Sequence, residues 1–134
     1  MQKVLSWGLI ILEIFVGITS ASSGVQLVLT NGLGMPIPYL KNSPFTSFLI
    51  PGLILIFVVG GLHLLAGFLT LKNKVFKLEI SAIAAFGLLI WIFTEMYIIG
   101  KSSVLQTLYF SVGILELVLI LLIQKFYLLD LKKT

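Results

Sequence analysis

Four ionisable side chains stand where the surrounding sequence is apolar: Glu13, His63, Glu95 and Glu116. A charged group at membrane depth costs at least ~2.5 kcal/mol on insertion scales, so each is expected to face protein rather than lipid. At 1.5 Å per residue, Glu13 lies about 12 Å from one end of its apolar run, and His63 lies about 12 Å from the same end of the next run. Glu116 stands roughly 18 Å from either end of the last run. The geometry allows a Glu, His, Glu cluster in the inner half of a helical bundle. Such a cluster can relay protons, hold a cation, or clamp a lipid headgroup or a quinone, since apolar surroundings disfavour ionised carboxylates and imidazole titrates near neutrality. It can equally hold helices in register through hydrogen bonds alone, and both readings stay open. The Glu-x-x-His pattern of metal sites in bundles is missing, so no metal is assigned.

A second polar group belongs to the other half. Gln26, Ser22 and Ser23 come from the first run, Glu95, Trp91 and Tyr97 from the third, and Gln106 and Tyr109 from the fourth. Glu95 lies about 6 Å from the boundary by helical rise, where it can open onto a vestibule capped by the long connection. The competing reading is an interfacial belt, with Trp91, Tyr97, Tyr109 and Tyr39 at headgroup level and Glu95 reaching water. The residues assigned to ligand binding or proton coupling are thus Glu13, His63, Glu95, Glu116, Gln26, Trp91, Tyr97 and Gln106. No catalytic residue or cofactor is assigned, because Ser, His and Asp form no nucleophilic set and no phosphate-binding glycine loop or cofactor fingerprint occurs. Cysteine is missing, which removes thiol chemistry.

The elements that position these residues follow from composition. Of 134 residues, 59% are hydrophobic and 10% charged, against about 25% charged in ordinary soluble domains. A spanning helix takes roughly 20 apolar residues, and the apolar runs place four spans at 5–29, 48–71, 78–99 and 104–128. They fill the chain and leave one domain with short connections. The longest connection, 30–47, carries Asn31-Gly32, Gly34, Pro36, Pro38 and Asn42-Ser43-Pro44, all turn signals. Pro51 fits a first helical turn, where its missing amide costs nothing, or a kink. The tight turns at Lys72–Lys77 and Gly100–Ser103 make consecutive spans antiparallel neighbours. The expected fold is an all-α integral membrane antiparallel four-helix bundle.

All nine basic residues are Lys. Lys3, Lys72, Lys74, Lys77, Lys125, Lys132 and Lys133 fall at one end, and Lys41 and Lys101 at the other, which puts both termini inside. Spread over the connections in this way, the charge describes topology and lipid attraction, not a nucleic-acid surface. Lys-only usage suggests an AT-rich prokaryotic genome, hence a prokaryotic cytoplasmic membrane. Lys3, an apolar run and Thr19-Ser20-Ala21 imitate a signal peptide, but Glu13 interrupts the apolar core and hydrophobicity resumes to Leu29, so the segment reads as a span. Small residues at Gly17/Ala21, Ser20/Gly24 and Ser81/Ala85, and a face marked by Gly60, Gly61 and Gly67, favour close helix packing. Glu79 suits the positive end of the third span.

The stretches Asn42-Ser43-Pro44-Phe45 to Leu49-Ile50-Pro51-Gly52, Gly60-Gly61-Leu62-His63, and Trp91-Ile92-Phe93-Thr94-Glu95 to Gly100 resemble uncharacterised small four-span bacterial membrane proteins. In span number and length the chain is similar to the DoxX-like group. The resemblance implies the architecture and no reaction. The functional expectation is binding or transport of a small molecule, lipid or ion within the bundle, with membrane lipids as partners and a homodimer to complete a pathway that four short helices barely enclose. The alternative is a non-catalytic accessory subunit packed against a partner membrane protein.

Overall fold

The computed structural model describes residues 1–32, 34–100 and 103–134. Four helices are long and apolar enough to cross a membrane: α1 (Gln2–Thr30), α2 (Leu49–Leu71), α3 (Lys77–Ile99) and α4 (Val104–Lys133). These bounds lie within a few residues of the expected spans except at the end of α4. There the segment Phe126–Leu131 stays helical because no Gly or Pro interrupts it, and 30 residues rise about 45 Å, more than a bilayer's hydrocarbon needs. Lys101, counted above at the Lys-poor end, lies outside the described residues.

Each helix packs on the next, and α1 meets α4, closing a ring of antiparallel neighbours. Only 22–33% of the most apolar stretch of each span is buried inside the protein. Large side chains such as Phe15, Phe57, Phe86, Phe93 and Leu121 point outward, a surface that suits hydrocarbon and not water. Such an all-round apolar helix has no polar stripe to mark its outer face.

Local chemistry fixes the helix ends. α1 stops where Asn31 adopts the left-handed conformation (φ 49°) and returns its amide to the Leu27 carbonyl, and the Asn31 side chain then accepts the Phe48 amide at 3.0 Å. That bond clasps the two ends of the long connection. The connection folds over the bundle end through a 3-10 turn (Ile37–Leu40) and buries Leu40 and Phe48 against Leu27, with Met35, Phe45 and Ile98 packed around them. α3 ends at Gly100 (φ 78°). α4 begins with a capping box, in which Ser103 and Gln106 satisfy each other's backbone amides.

α1 and α2 approach most closely. Glycines at 24 and 17 of α1 meet α2 beside Gly52 and Gly60: a Cβ on Gly24 would sit 2.7 Å from the Gly52 carbonyl oxygen, and one on Gly60 would sit 3.0 Å from the Ala21 nitrogen. Gly52 and Gly60 are eight residues apart, which in an unbroken α-helix would rotate them about 80° from each other. Between them Leu55–Gly60 winds as a π-helix. The extra residue it takes up brings the two glycines back to within about 20° of one face. Gly67 also faces α1, through Ile14, whereas Gly61 meets only its own helix; the expected Gly60, Gly61, Gly67 face therefore loses its middle member.

Substituting Gly24→Val should destabilise the bundle by about 3 kcal/mol, the upper end of overpacking costs, since backbone blocks relief. Gly87→Ala, where an added Cβ meets nothing within 4 Å, should gain about 0.5–1 kcal/mol of helix stability. Reversible unfolding in mixed micelles reads both, and equal stabilities for the two variants would contradict the packing described.

Candidate functional site

Two polar layers lie inside the bundle, with an apolar layer between them. The layer nearer the Lys-rich end takes one or more groups from every helix: Glu13 (α1), His63 and Thr70 (α2), Ser81 (α3) and Glu116 (α4), all buried. His63 Nε2 lies 3.1 Å from Glu116 Oε2, across the bundle diagonal. Its Nδ1 lies 2.8 Å from the Val59 carbonyl one turn back. A carbonyl only accepts, so Nδ1 carries a hydrogen and donates it. Nε2 and Oε2 then share one further proton, as either a neutral pair or an imidazolium and carboxylate, and the pair has zero net charge in both forms. Glu13 is faced by the Ser81 and Thr70 hydroxyls, by Glu116 and by His63. Neither of its carboxyl oxygens closes a hydrogen bond among the described residues, and Glu116 Oε1 is likewise unpartnered. The hydroxyls of Thr70 and Ser81 lie 3.5 Å apart. Among the described residues, no three His, Asp or Glu converge closely enough to hold a metal ion.

The apolar layer consists of Val16, Val59, Leu88, Ile92 and Val112, with Leu12 and Leu55 packed against it. It separates the layers by seven residues of α1, from Glu13 to Ser20, and by ten of α4, from Glu116 to Gln106, or about 10–15 Å. No side chain spans that distance. A second apolar layer, Leu9, Ile120 and Ile123, closes the bundle on the Lys-rich side.

The layer at the loop-capped end borders a cavity of about 210 Å³, lined among others by Ser20, Ser23, Trp91, Glu95, Gln106 and Tyr109. Gln106 Nε2 donates to Glu95 Oε2 at 3.4 Å. The other end of that amide, Oε1, accepts the Ser103 amide at 3.0 Å, so the capping box aims Gln106 at Glu95. The Trp91 indole faces the same carboxyl, though its buried N–H reaches no acceptor at full hydrogen-bond geometry among the described residues. Tyr109 is held by stacking on Phe15, ring centroids 6.2 Å apart. A narrower cavity of about 40 Å³ adjoins; it shares Met35, Trp91, Glu95 and Ile99 and runs under Leu40, Phe45 and Phe48 of the capping connection.

Of the residues assigned from sequence, the structure brings Glu13, His63 and Glu116 into one layer and Glu95, Trp91 and Gln106 into the other. Gln26 and Tyr97 join neither: Gln26 is exposed and Tyr97 is 74% exposed. Both have the right depth and the wrong azimuth, since at 100° per residue Tyr97 points about 200° away from Glu95. Thr70, Ser20 and Ser103 were not foreseen as site residues. Ser103-x-x-Gln106 carried a readable signal, the capping box; Thr70 and Ser20 carried none, being ordinary small polar residues of apolar helices.

No protein-family model, no curated protein and no solved structure matches this chain. The resemblance noted from sequence is therefore supported as far as its architecture, a small all-α protein with four helices of membrane-spanning length, and the DoxX-like group receives no support.

As the chain has one histidine, ¹⁵N NMR of the imidazole reports His63 alone. It should show Nδ1 protonated at neutral pH; a bare Nδ1 would refute the geometry. Glu116→Gln, which keeps a donor for Nε2, should be tolerated, while Glu116→Leu strands the imidazole and should cost roughly 3–5 kcal/mol, as for other broken buried pairs.

Proposed function

We propose that this protein binds, and carries across the membrane, a small molecule that enters the bundle from the loop-capped end, with the buried layer at the Lys-rich end exchanging protons during the cycle. One observation supports the reading above others: a cavity with an acid at its wall lies on one side of an apolar layer, and unpartnered carboxyl oxygens lie on the other. Access from one side only is what alternating exposure of a site requires in one of its states. The Glu13 carboxyl, which shares a layer with the His63–Glu116 pair, can take and release protons where water reaches it in the other state.

The Lys distribution orients the molecule, with both termini and the Lys72–Lys77 turn cytoplasmic. The loop-capped end, and the cavity beside it, then lie toward the outside of a prokaryotic cytoplasmic membrane. Ser20 is 5% exposed and lines the cavity, so Ser20→Leu fills space without adding charge. Native mass spectrometry from nanodiscs should find a small molecule on the wild type and lose it in Ser20→Leu. In proteoliposomes, Glu13→Gln or Glu116→Gln should abolish substrate-driven proton movement followed by an internal pH dye, while helical content stays unchanged. A bare chain that instead retains a second membrane protein through purification would favour an accessory subunit.

A further inference from the structure

We infer that the cavity at the loop-capped end selects a small organic monocation, an ammonium head on a short apolar body, with Glu95 as its counter-charge. The inference rests on the binding role proposed above and names its ligand class.

The wall chemistry carries the choice. Among the described residues, Glu95 is the one acid that lines the cavity, and no Lys, Arg or His lines it. An anion would meet Glu95 with no cationic side chain among the described lining residues to balance it. A carboxylate offers about four acceptor positions, and among the described residues Glu95 accepts a long bond from Gln106 at 3.4 Å. The Trp91 indole faces the same carboxyl. The neighbouring groups are therefore neutral donors, and acceptor capacity is left for a ligand's N–H groups. Ser20 and Ser23 on α1 add hydroxyl acceptors across the cavity from α3. Trp91 and Tyr109 supply aromatic surface, which attracts cations.

Size and shape set the rest. The cavity of about 210 Å³ falls below the roughly 300–1,000 Å³ of sites for drug-sized molecules, so the ligand is compact. The adjoining cavity meets it at Glu95 and is walled by Leu27, Leu40, Phe45, Phe48 and Pro51. A head at Glu95 thus has an apolar extension beside it for a short hydrocarbon body. This pairing of one carboxyl with an apolar slot describes an amphiphilic amine.

Cyclohexylamine, charged at neutral pH as a lysine side chain is, and cyclohexanol, its neutral analogue of similar size, separate charge from shape. The chain has two tryptophans, so a Trp7→Phe background in nanodiscs, excited at the red edge where tyrosine does not absorb, leaves Trp91 as the sole emitter. Cyclohexylammonium should change Trp91 emission saturably, with cyclohexanol at least about tenfold weaker and the amine at least about tenfold weaker on Glu95→Gln, the size of one lost charge-assisted hydrogen bond. Glu95→Asp should keep the preference for the amine. Equal binding of the two probes, or unchanged amine binding to Glu95→Gln, would overturn the cation assignment and leave a binding cavity standing. If neither probe binds a chain whose helicity is intact, both the assignment and the binding role fall. The comparison of probes needs no substitution at Glu95, so it decides the matter even where Glu95→Gln does not fold.

Discussion

The hydrocarbon interior of a bilayer offers no hydrogen bond, so each polar group carried into it must be answered from inside the protein. In this bundle the bond from His63 to Glu116 is the clearest answer. It joins α2 to α4 across the diagonal, while the ring packing joins only neighbours. Because His63 also holds the Val59 carbonyl, the imidazole ties the partner helix to the irregular part of its own. Net neutrality of the pair lets it lie at this depth without another counter-charge. The remaining members of that layer, Glu13, Thr70 and Ser81, are gathered around a feature that is already fixed.

The two polar layers differ in how they are held. The buried one is built from the interiors of four long helices and closed by Leu9, Ile120 and Ile123 below and by Val16, Val59 and Leu88 above. The other is built at helix ends, where a capping box sets Gln106 and a folded connection covers the cavity. Helix ends and loops yield more readily than packed helix interiors. The molecule thus places its adaptable polar layer at the loop-capped end, where the proposed ligand would enter, and its rigid one deep in the bundle.

How much of this was legible in the sequence depends on what hydrophobicity encodes. Depth was legible: the spans and the levels of Glu13, His63, Glu116 and Glu95 follow from counting along apolar runs. Azimuth was not, because lipid and bundle core are both apolar and leave no periodic contrast to say which side faces in. Gln26 and Tyr97 show the failure, correct in level and turned outward. Orphan polar atoms such as Trp91 Nε1 were likewise beyond reach, since they depend on how neighbouring helices are rotated. The small residues fared between the two. Gly17 and Gly24 pointed to a close contact, and Gly60 and Gly67 to its place on α2, but Gly52 shares that face only through a π segment that hydrophobic patterning does not mark.

That segment changes the meaning of distance along α2. On either side of Leu55–Gly60 the helix is a uniform ruler, and across it the ruler slips by one mark. A helical wheel drawn straight from Pro51 to Thr70 would turn His63 about 100° away from its true bearing relative to Gly52. In a chain of this design, losing one residue between Leu55 and Gly60 would be a smaller structural event than losing one on either side. The middle of α2 is where sequence length is free to vary while the angles that matter stay fixed.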